Sequence, residues 1–262
     1  MGAGPQLVFS DGPYRRIMTP LSRRRLLQVV AIGAVATVGG TPPAQARPLR
    51  VPIPANGVIP PPGVLVALPP GGNQLALTVD DGIDTGVVAA FATLCRDNGI
   101  RLTFFVNGAN SSWTVNAPLI RPMVESGQIQ LGNHTWSHPF LTRISPGDVA
   151  DQISRNADFL RNTYGVDGTP YFRPPYGVHT PATDRIAADQ GYTTITLWSG
   201  NIGDSRRITA DQMVGYAQQS FTAQQVVLMH ANLPPVTTRF PQLLGIISSR
   251  NLQTVTLNDV FS

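Results

Sequence analysis

The sequence has 262 residues, of which 42% are hydrophobic; this supplies the core of one substantial domain and excludes global disorder. Its formal charge of +4 rests on arginine alone, and from Arg47 onward 14 Arg face 14 acidic residues, so no basic excess remains to recruit nucleic acid. A single cysteine, Cys95, excludes an internal disulfide and a thiolate metal cluster.

The N-terminus reads as an address. Ser22-Arg23-Arg24-Arg25-Leu26-Leu27 precedes a moderately apolar run over residues 29–40, then Ala44-Gln45-Ala46. This is the order of an n-region, an h-region and an A-x-A cleavage site. The Arg pair, with Ser before it and Leu-Leu after it, resembles a twin-arginine export signal. It implies the twin-arginine machinery as a partner and a secreted or cell-envelope protein, cleaved near Ala46. The apolar run contains Thr37 and three glycines and falls short of the roughly 20 apolar residues of a membrane span. Residues 1–46 are therefore expected to be a signal peptide. Residues 47–73 hold Ile59-Pro60-Pro61-Pro62-Gly63 and Pro69-Pro70-Gly71-Gly72. Proline removes backbone donors and resists both helix and central strand, so this stretch is expected to be a semi-rigid linker or surface arm. The folded domain is expected over residues 74–262.

From there, short runs of β-branched and apolar residues alternate with helical stretches. Strands are expected at 75–79, 102–106, 129–131, 171–172, 193–197, 226–229 and 254–256. Helices are expected at 85–98, 117–126, 146–164, 181–189, 210–221 and 239–249. The first helix carries Cys95 among Val87, Val88, Phe91 and Leu94, as a buried structural thiol. Ser145 as N-cap and Pro146 at the first helical position mark the start of the 146–164 helix. Gly99, Gly127 and Gly165 close three of the helices. Strict alternation implies a parallel sheet with covered faces. About seven units, with no nucleotide-binding Gly motif after the first strand, favour a barrel over an open doubly wound sheet.

The reactive side chains fall at the ends of those strands. Asp80 and Asp81 follow the first, His134 and His138 the third, and Arg173 the fourth. Asn201 and Asp204 come after the fifth, and His230 directly follows the sixth. In α/β barrels the C-terminal ends of different strands converge on one face, which carries the chemistry. Each motif alone has a plainer reading. Asp80-Asp81-Gly82 is also a turn, and Arg173-Pro174-Pro175-Tyr176 a rigid one. His134 and His138 could be two surface residues on one helical face, although Pro139 disfavours α geometry at His138. His230 could be a core histidine, and His179 has no partner motif and reads as structural or peripheral. Together they form a site. Two imidazoles and one carboxylate are a common ligand set for catalytic zinc, which lowers the pKa of a water and polarises a carbonyl. A second carboxylate can act as base, and a further histidine can protonate a leaving group.

Residues 75–261 resemble the polysaccharide deacetylases, the NodB-homology or carbohydrate esterase family 4 fold. The resemblance is carried by Thr78-Val79-Asp80-Asp81-Gly82, His134-Thr135-Trp136-Ser137-His138, Arg173-Pro174-Pro175-Tyr176-Gly177 and Leu228-Met229-His230. It implies an α/β fold, a distorted (β/α) barrel of about seven parallel strands. It implies a metal-dependent hydrolase that removes acetyl groups from N-acetylated glycans, peptidoglycan or chitin-like, by attack of a metal-bound water. An O-acetyl esterase on a xylan-like polymer and a non-catalytic glycan-binding homologue are the alternatives. By the same likeness, Asp81, His134 and His138 hold one divalent ion, zinc or one similar to it such as cobalt. Asp80 is then the base, Arg173 positions it, His230 is the acid and Asp204 orients His230. The Tyr176 N–H helps hold the oxyanion, and Leu228, Trp198 and Pro174 line the substrate pocket. The family's fourth motif, Asp-x-x-Asp-Trp, is altered: Asn201 stands at the first acid and Ser205 at the tryptophan. The missing indole opens one wall of the site.

Overall fold

The strand of residues 74–81 sets the plan of the fold through its period of two. Leu75, Leu77 and Val79 pack outward into a cluster with Val87, Val88 and Phe91, while Ala76 joins Phe105, Tyr171, Val226 and Val255 on the opposite face. Alternation along the strand then places Thr78 and Asp80 on that inner face too. The computed structural model describes residues 60–261, and the signal-peptide reading of residues 1–46 lies outside them.

In chain order the elements are β1 (Gly63–Leu65), β2 (Gln74–Asp81), α1 (Thr85–Asn98), β3 (Leu102–Val106), α2 (Ser111–Val115), α3 (Ala117–Glu125) and β4 (Ile129–Asn133). Then come α4 (Pro146–Tyr164), β5 (Tyr171–Phe172), α5 (Pro181–Ala188), β6 (Thr194–Thr196), β7 (Gly200–Asn201) and α6 (Ala210–Ser220). The chain ends with β8 (Val226–His230), α7 (Phe240–Ser249), β9 (Gln253–Val255) and α8 (Leu257–Val260). Helix starts follow local chemistry. Asp84 caps α1 through the N–H of Val87 (2.9 Å), and Ser145 caps α4 through Asp148 (3.1 Å). Gly99 and Gly165 end these helices in left-handed conformations.

The sheet order is β1-β6-β5-β4-β3-β2-β8-β7, with β9 also pairing β2, and every ladder is parallel. The sheet is curled. Arg173, at the end of β5, reaches Thr78 and Asp80 on β2, although β5 and β2 are three strand spacings apart, about 14 Å in a flat sheet. The outermost strands in this order, β1 and β7, do not pair with each other, and one antiparallel bridge, Ala67 to Gln225, lies near the seam. The architecture is thus an incompletely closed α/β barrel. Among the described residues no helix is long and apolar enough to cross a membrane.

All seven strands expected from sequence are present, and β1 and β7 are additional. β1 corrects the linker expectation, because residues 63–65 lie inside the stretch assigned to an arm and pair with β6. β1 is outermost in the strand order, and such a position tolerates the missing donors of the prolines that precede it. Leu65 and Leu68 then anchor it in the inner cluster. β7 has two residues, and α2 and α8 have five and four; such lengths are too short to show a period.

Candidate active site

The two adjacent carboxylates are separated by backbone geometry. Asp80 points into the barrel by strand alternation, and simple continuation would aim Asp81 at the helices. Instead Asp81 adopts a left-handed φ of 70°, and Gly82 one of 82°. The turn is fixed from below. The Asp81 carbonyl accepts from Trp113 Nε1 (2.9 Å) and Asn110 Nδ2 (3.0 Å). A Cβ on Gly82 would lie 2.4 Å from the Trp113 ring, so glycine is required there. A left-handed non-glycine residue costs about 1–3 kcal/mol and persists only where its surroundings enforce it. Thr135 (71°), His138 (60°) and Tyr176 (61°) share this conformation, so the strained backbone gathers in the segments that bear the motif residues.

His134 follows β4 and is buried. Its Nδ1–H donates to the Arg173 carbonyl (2.6 Å), which fixes the tautomer and leaves the Nε2 lone pair free. That Nε2 lies 3.3 Å from Asp81 Oδ1, and His138 Nε2 lies 3.4 Å from the same oxygen. The three ligand atoms all fall within 4.8 Å of one another. Asp81 Oδ1 is buried and has no hydrogen-bond partner. Two imidazole nitrogens and an unpartnered carboxylate oxygen therefore converge, a ligand set that fits a divalent cation. The electrostatics agree. Burial raises the Asp81 carboxyl, but His134, His138 and Asn232 hold it well below the usual range. Burial, reinforced by His134, presses His138 down to about 4, so it is neutral at neutral pH. Burial also opposes charge on His134, yet Asp80 and Asp81 outweigh it and raise its pKa. The pocket draws positive charge.

Asp80 is 3% exposed. Its Oδ1 accepts from Arg173 Nη1 (2.6 Å), and its Oδ2 lies 3.6 Å from His134 Nε2. Arg173 is fully buried and spends its fork on Asp80, Thr78 Oγ1 (2.9 Å), the Thr196 carbonyl (3.0 Å) and the Leu197 carbonyl (3.0 Å). The Phe105 ring covers its guanidinium at 4.1 Å. Four of its five N–H donors are thus satisfied, with a carboxylate as counter-charge, which is what a buried guanidinium requires. On the neighbouring strand, His230 is the register partner of Asp80. Asp204 accepts both the His230 backbone N–H (2.7 Å) and its Nδ1–H (2.9 Å). Burial lowers His230, but Asp204, with Asp80 and Asp81, raises it to about 9. Burial also raises Asp204, against the pull of His230. The rise on His230 is the governing direction, because three carboxylates act on one imidazole.

The pocket candidates surround this core. Leu228 lies one inward step below His230 and pairs with Thr78 in register. Pro174 is buried after Arg173. Tyr176 is half exposed, with its ring stacked on Phe140 (3.8 Å between centroids, 10° between planes) and edge-on to His138 (4.5 Å). Trp198 fills the space where Gly177 lacks a Cβ (2.8 Å) and lies 5.7 Å from the Arg173 guanidinium. Asn201 and Ser205 are exposed. His179 pairs with Asp184 (2.8 Å), in the first turn of α5.

Sequence reasoning missed the amides that hold the site. Asn107 donates to the carbonyls of His134 and Thr135. Asn133 Oδ1 accepts from the Thr135 N–H (2.9 Å) and from Asn156 (2.9 Å). Asn232 donates to Asp81 Oδ2 (2.6 Å). Asn133 and Asn232 each lie within two residues of a motif histidine, which was the available signal, but asparagine is equally common in turns.

The family model for polysaccharide deacetylase matches residues 67–195. A peptidoglycan-N-acetylglucosamine deacetylase of Listeria monocytogenes is 29% identical over 193 residues, covering 72% of this chain and 39% of that protein. Chitin deacetylase 1 of Saccharomyces cerevisiae is 33% identical over 160 residues, covering 61% of this chain and 47% of that protein. The chain thus spans less than half the length of these two relatives. A carbohydrate esterase family 4 pseudoenzyme from Bacillus anthracis has the same fold, with a TM-score of 0.67 at 17% identity over 77% of this chain and 70% of that one.

Proposed function

The chain belongs to the polysaccharide deacetylase family, and on that premise we propose that it is a metal-dependent N-deacetylase of an acetylated glycan built on N-acetylglucosamine or N-acetylmuramic acid. The observation that carries this reading is the convergence of Asp81 Oδ1, His134 Nε2 and His138 Nε2, with the carboxylate oxygen left unpartnered, directly beside Asp80. Zinc or a similar divalent ion held there supplies a Lewis acid that acidifies water and polarises the acetyl carbonyl.

The chain's own residues do the rest. Arg173 holds Asp80 by one oxygen and leaves the other, beside His134, to take a proton from the attacking water. The Tyr176 N–H, presented by a left-handed backbone, donates to the developing oxyanion. His230 keeps its Nδ1–H on Asp204, and with its pKa raised to about 9 it is an imidazolium at neutral pH, so it can deliver the Nε2 proton to the departing amine. This last feature favours amide over ester hydrolysis, because an amine leaves only once protonated whereas an alcohol is a better leaving group. Leu228 and Trp198 form the apolar wall for the acetyl methyl. The signal-like N-terminus fits a substrate outside the cytoplasm, such as peptidoglycan, with cleavage near Ala46.

A non-catalytic glycan-binding role is the second reading. Asn201 and Ser205 in the altered fourth motif favour it, and the Bacillus anthracis pseudoenzyme shares the fold. Acetate release from chitooligosaccharides, peptidoglycan and acetylxylan, measured with metal-stripped and zinc-loaded protein, separates the readings. Zinc-dependent release from the first two substrates is expected. Release from acetylxylan alone favours the esterase, and none from any substrate by protein that binds zinc favours the non-catalytic homologue.

A further inference from the structure

Asn232 lies two residues beyond β8, outside every motif that carries the family likeness. It is partly buried and makes two hydrogen bonds that bracket Gly82. Its Nδ2 donates to Asp81 Oδ2 (2.6 Å), and its Oδ1 accepts from the Ile83 backbone N–H (3.2 Å). The second bond assigns the first. A backbone N–H can only donate, so the amide oxygen must face Ile83 and the amide N–H must face the carboxylate.

The consequence falls on the other oxygen of Asp81. A free carboxylate can bind a divalent ion through one oxygen or both, and it rotates about χ2 with little restraint. Here Oδ2 is occupied by a charge-assisted hydrogen bond, while Oδ1 has no partner and faces both imidazole nitrogens at 3.3 and 3.4 Å. The backbone of Asp81 is already fixed at its carbonyl by Trp113 and Asn110, so Asn232 restrains the remaining freedom of the side chain. It also ties the strained Asp81-Gly82 turn to the loop that follows His230.

We propose that Asn232 is a positioning residue that makes Asp81 a one-oxygen ligand, holding Oδ2 away so that Oδ1 alone completes the set with His134 and His138. This rests on the metal-binding reading above. Removing an outer partner of a metal ligand typically weakens metal binding about 10- to 100-fold.

The test uses the full chain stripped of metal and titrated with Co2+, followed by affinity and visible d–d absorption, for wild type, Asn232→Ala and Asn232→Leu. Leu keeps the branched shape and removes both the donor and the acceptor. Wild type is expected to bind one Co2+. Both variants should bind about 10- to 100-fold more weakly, with d–d bands weakened as Asp81 engages both oxygens and the coordination number rises. Circular dichroism of the metal-free proteins identifies any variant that fails to fold, and the other then decides. A folded variant with wild-type affinity and spectrum overturns the role of Asn232 and leaves the metal site standing. A wild-type protein that binds no Co2+ or Zn2+ overturns the metal reading and this proposal with it.

Discussion

Asp80 on β2 and His230 on β8 are direct register partners, so the side chains proposed as base and acid stand side by side on adjacent parallel strands. They are held from opposite directions. Arg173 grips Asp80 from β5, and Asp204 grips His230 from the loop after β7. The pair's spacing is therefore set by the sheet ladder, and each member's orientation by one dedicated partner.

The neighbouring carboxylates should separate cleanly by mutation. Asp80→Asn keeps all three converging ligands and should bind zinc almost normally while losing about 100- to 10,000-fold in kcat, the usual worth of a general base. Asp81→Asn should weaken zinc binding itself, with excess zinc restoring part of the activity. Zinc affinity and kcat measured for both variants decide the matter. Metal loss in Asp80→Asn with retention in Asp81→Asn would reverse the assignment.

The pH dependence follows from the raised His230. Its pKa in the folded chain, about 9, exceeds the ordinary 6.5. The His230–Asp204 pair thus adds stability that is fully present below about pH 6.5 and is lost as pH rises through about 9. Chemical denaturation of metal-free protein at pH 6 and pH 10 should show this loss, and Asp204→Asn should remove most of it. In the zinc-loaded enzyme, the alkaline limb of kcat/KM should move to lower pH in Asp204→Asn, because the imidazolium loses its main partner. An unmoved limb would detach His230 from the role of acid.

Gly82→Ala tests the turn that aims Asp81. The added methyl meets the Trp113 ring at 2.4 Å and sits on a φ of 82°, so either the ring or the turn must shift. A loss of stability of about 1–3 kcal/mol is expected from strain and overpacking, together with weakened zinc binding as Asp81 moves. Denaturation midpoints and zinc titration measure both. Wild-type zinc affinity in a folded Gly82→Ala protein would show that the left-handed turn is dispensable for the ligand set.

Export is tested through Arg23 and Arg24. Changing both to Lys keeps the charge and removes the guanidinium fork, and the chain should then accumulate in the cytoplasm of a host with a twin-arginine pathway. Secretion at the wild-type level would point to a different route.

Much of this fold could be read from the order of residues alone. Alternation of β-branched runs with capped, glycine-ended helices specified a parallel barrel, because local propensity and turn chemistry act within a few residues. The same reading placed Asp80, Asp81, His134, Arg173 and His230 at strand ends, since a parallel barrel sends every strand end to one face. What the sequence could not contain was the cross-chain geometry. Pairing of three residues in β1 depends on β6, more than 120 positions away, and the proline content around it argued for an arm. The left-handed turn that swings Asp81 out of strand alternation is enforced by Trp113 and Asn110 from the segment after β3. Asn232, Asn107 and Asn133 acquire their roles only when the barrel curls, because an amide has no signature until it has a partner. Residue type determined which atoms could bind, donate or accept; only the closed packing of distant segments decided where each lone pair points.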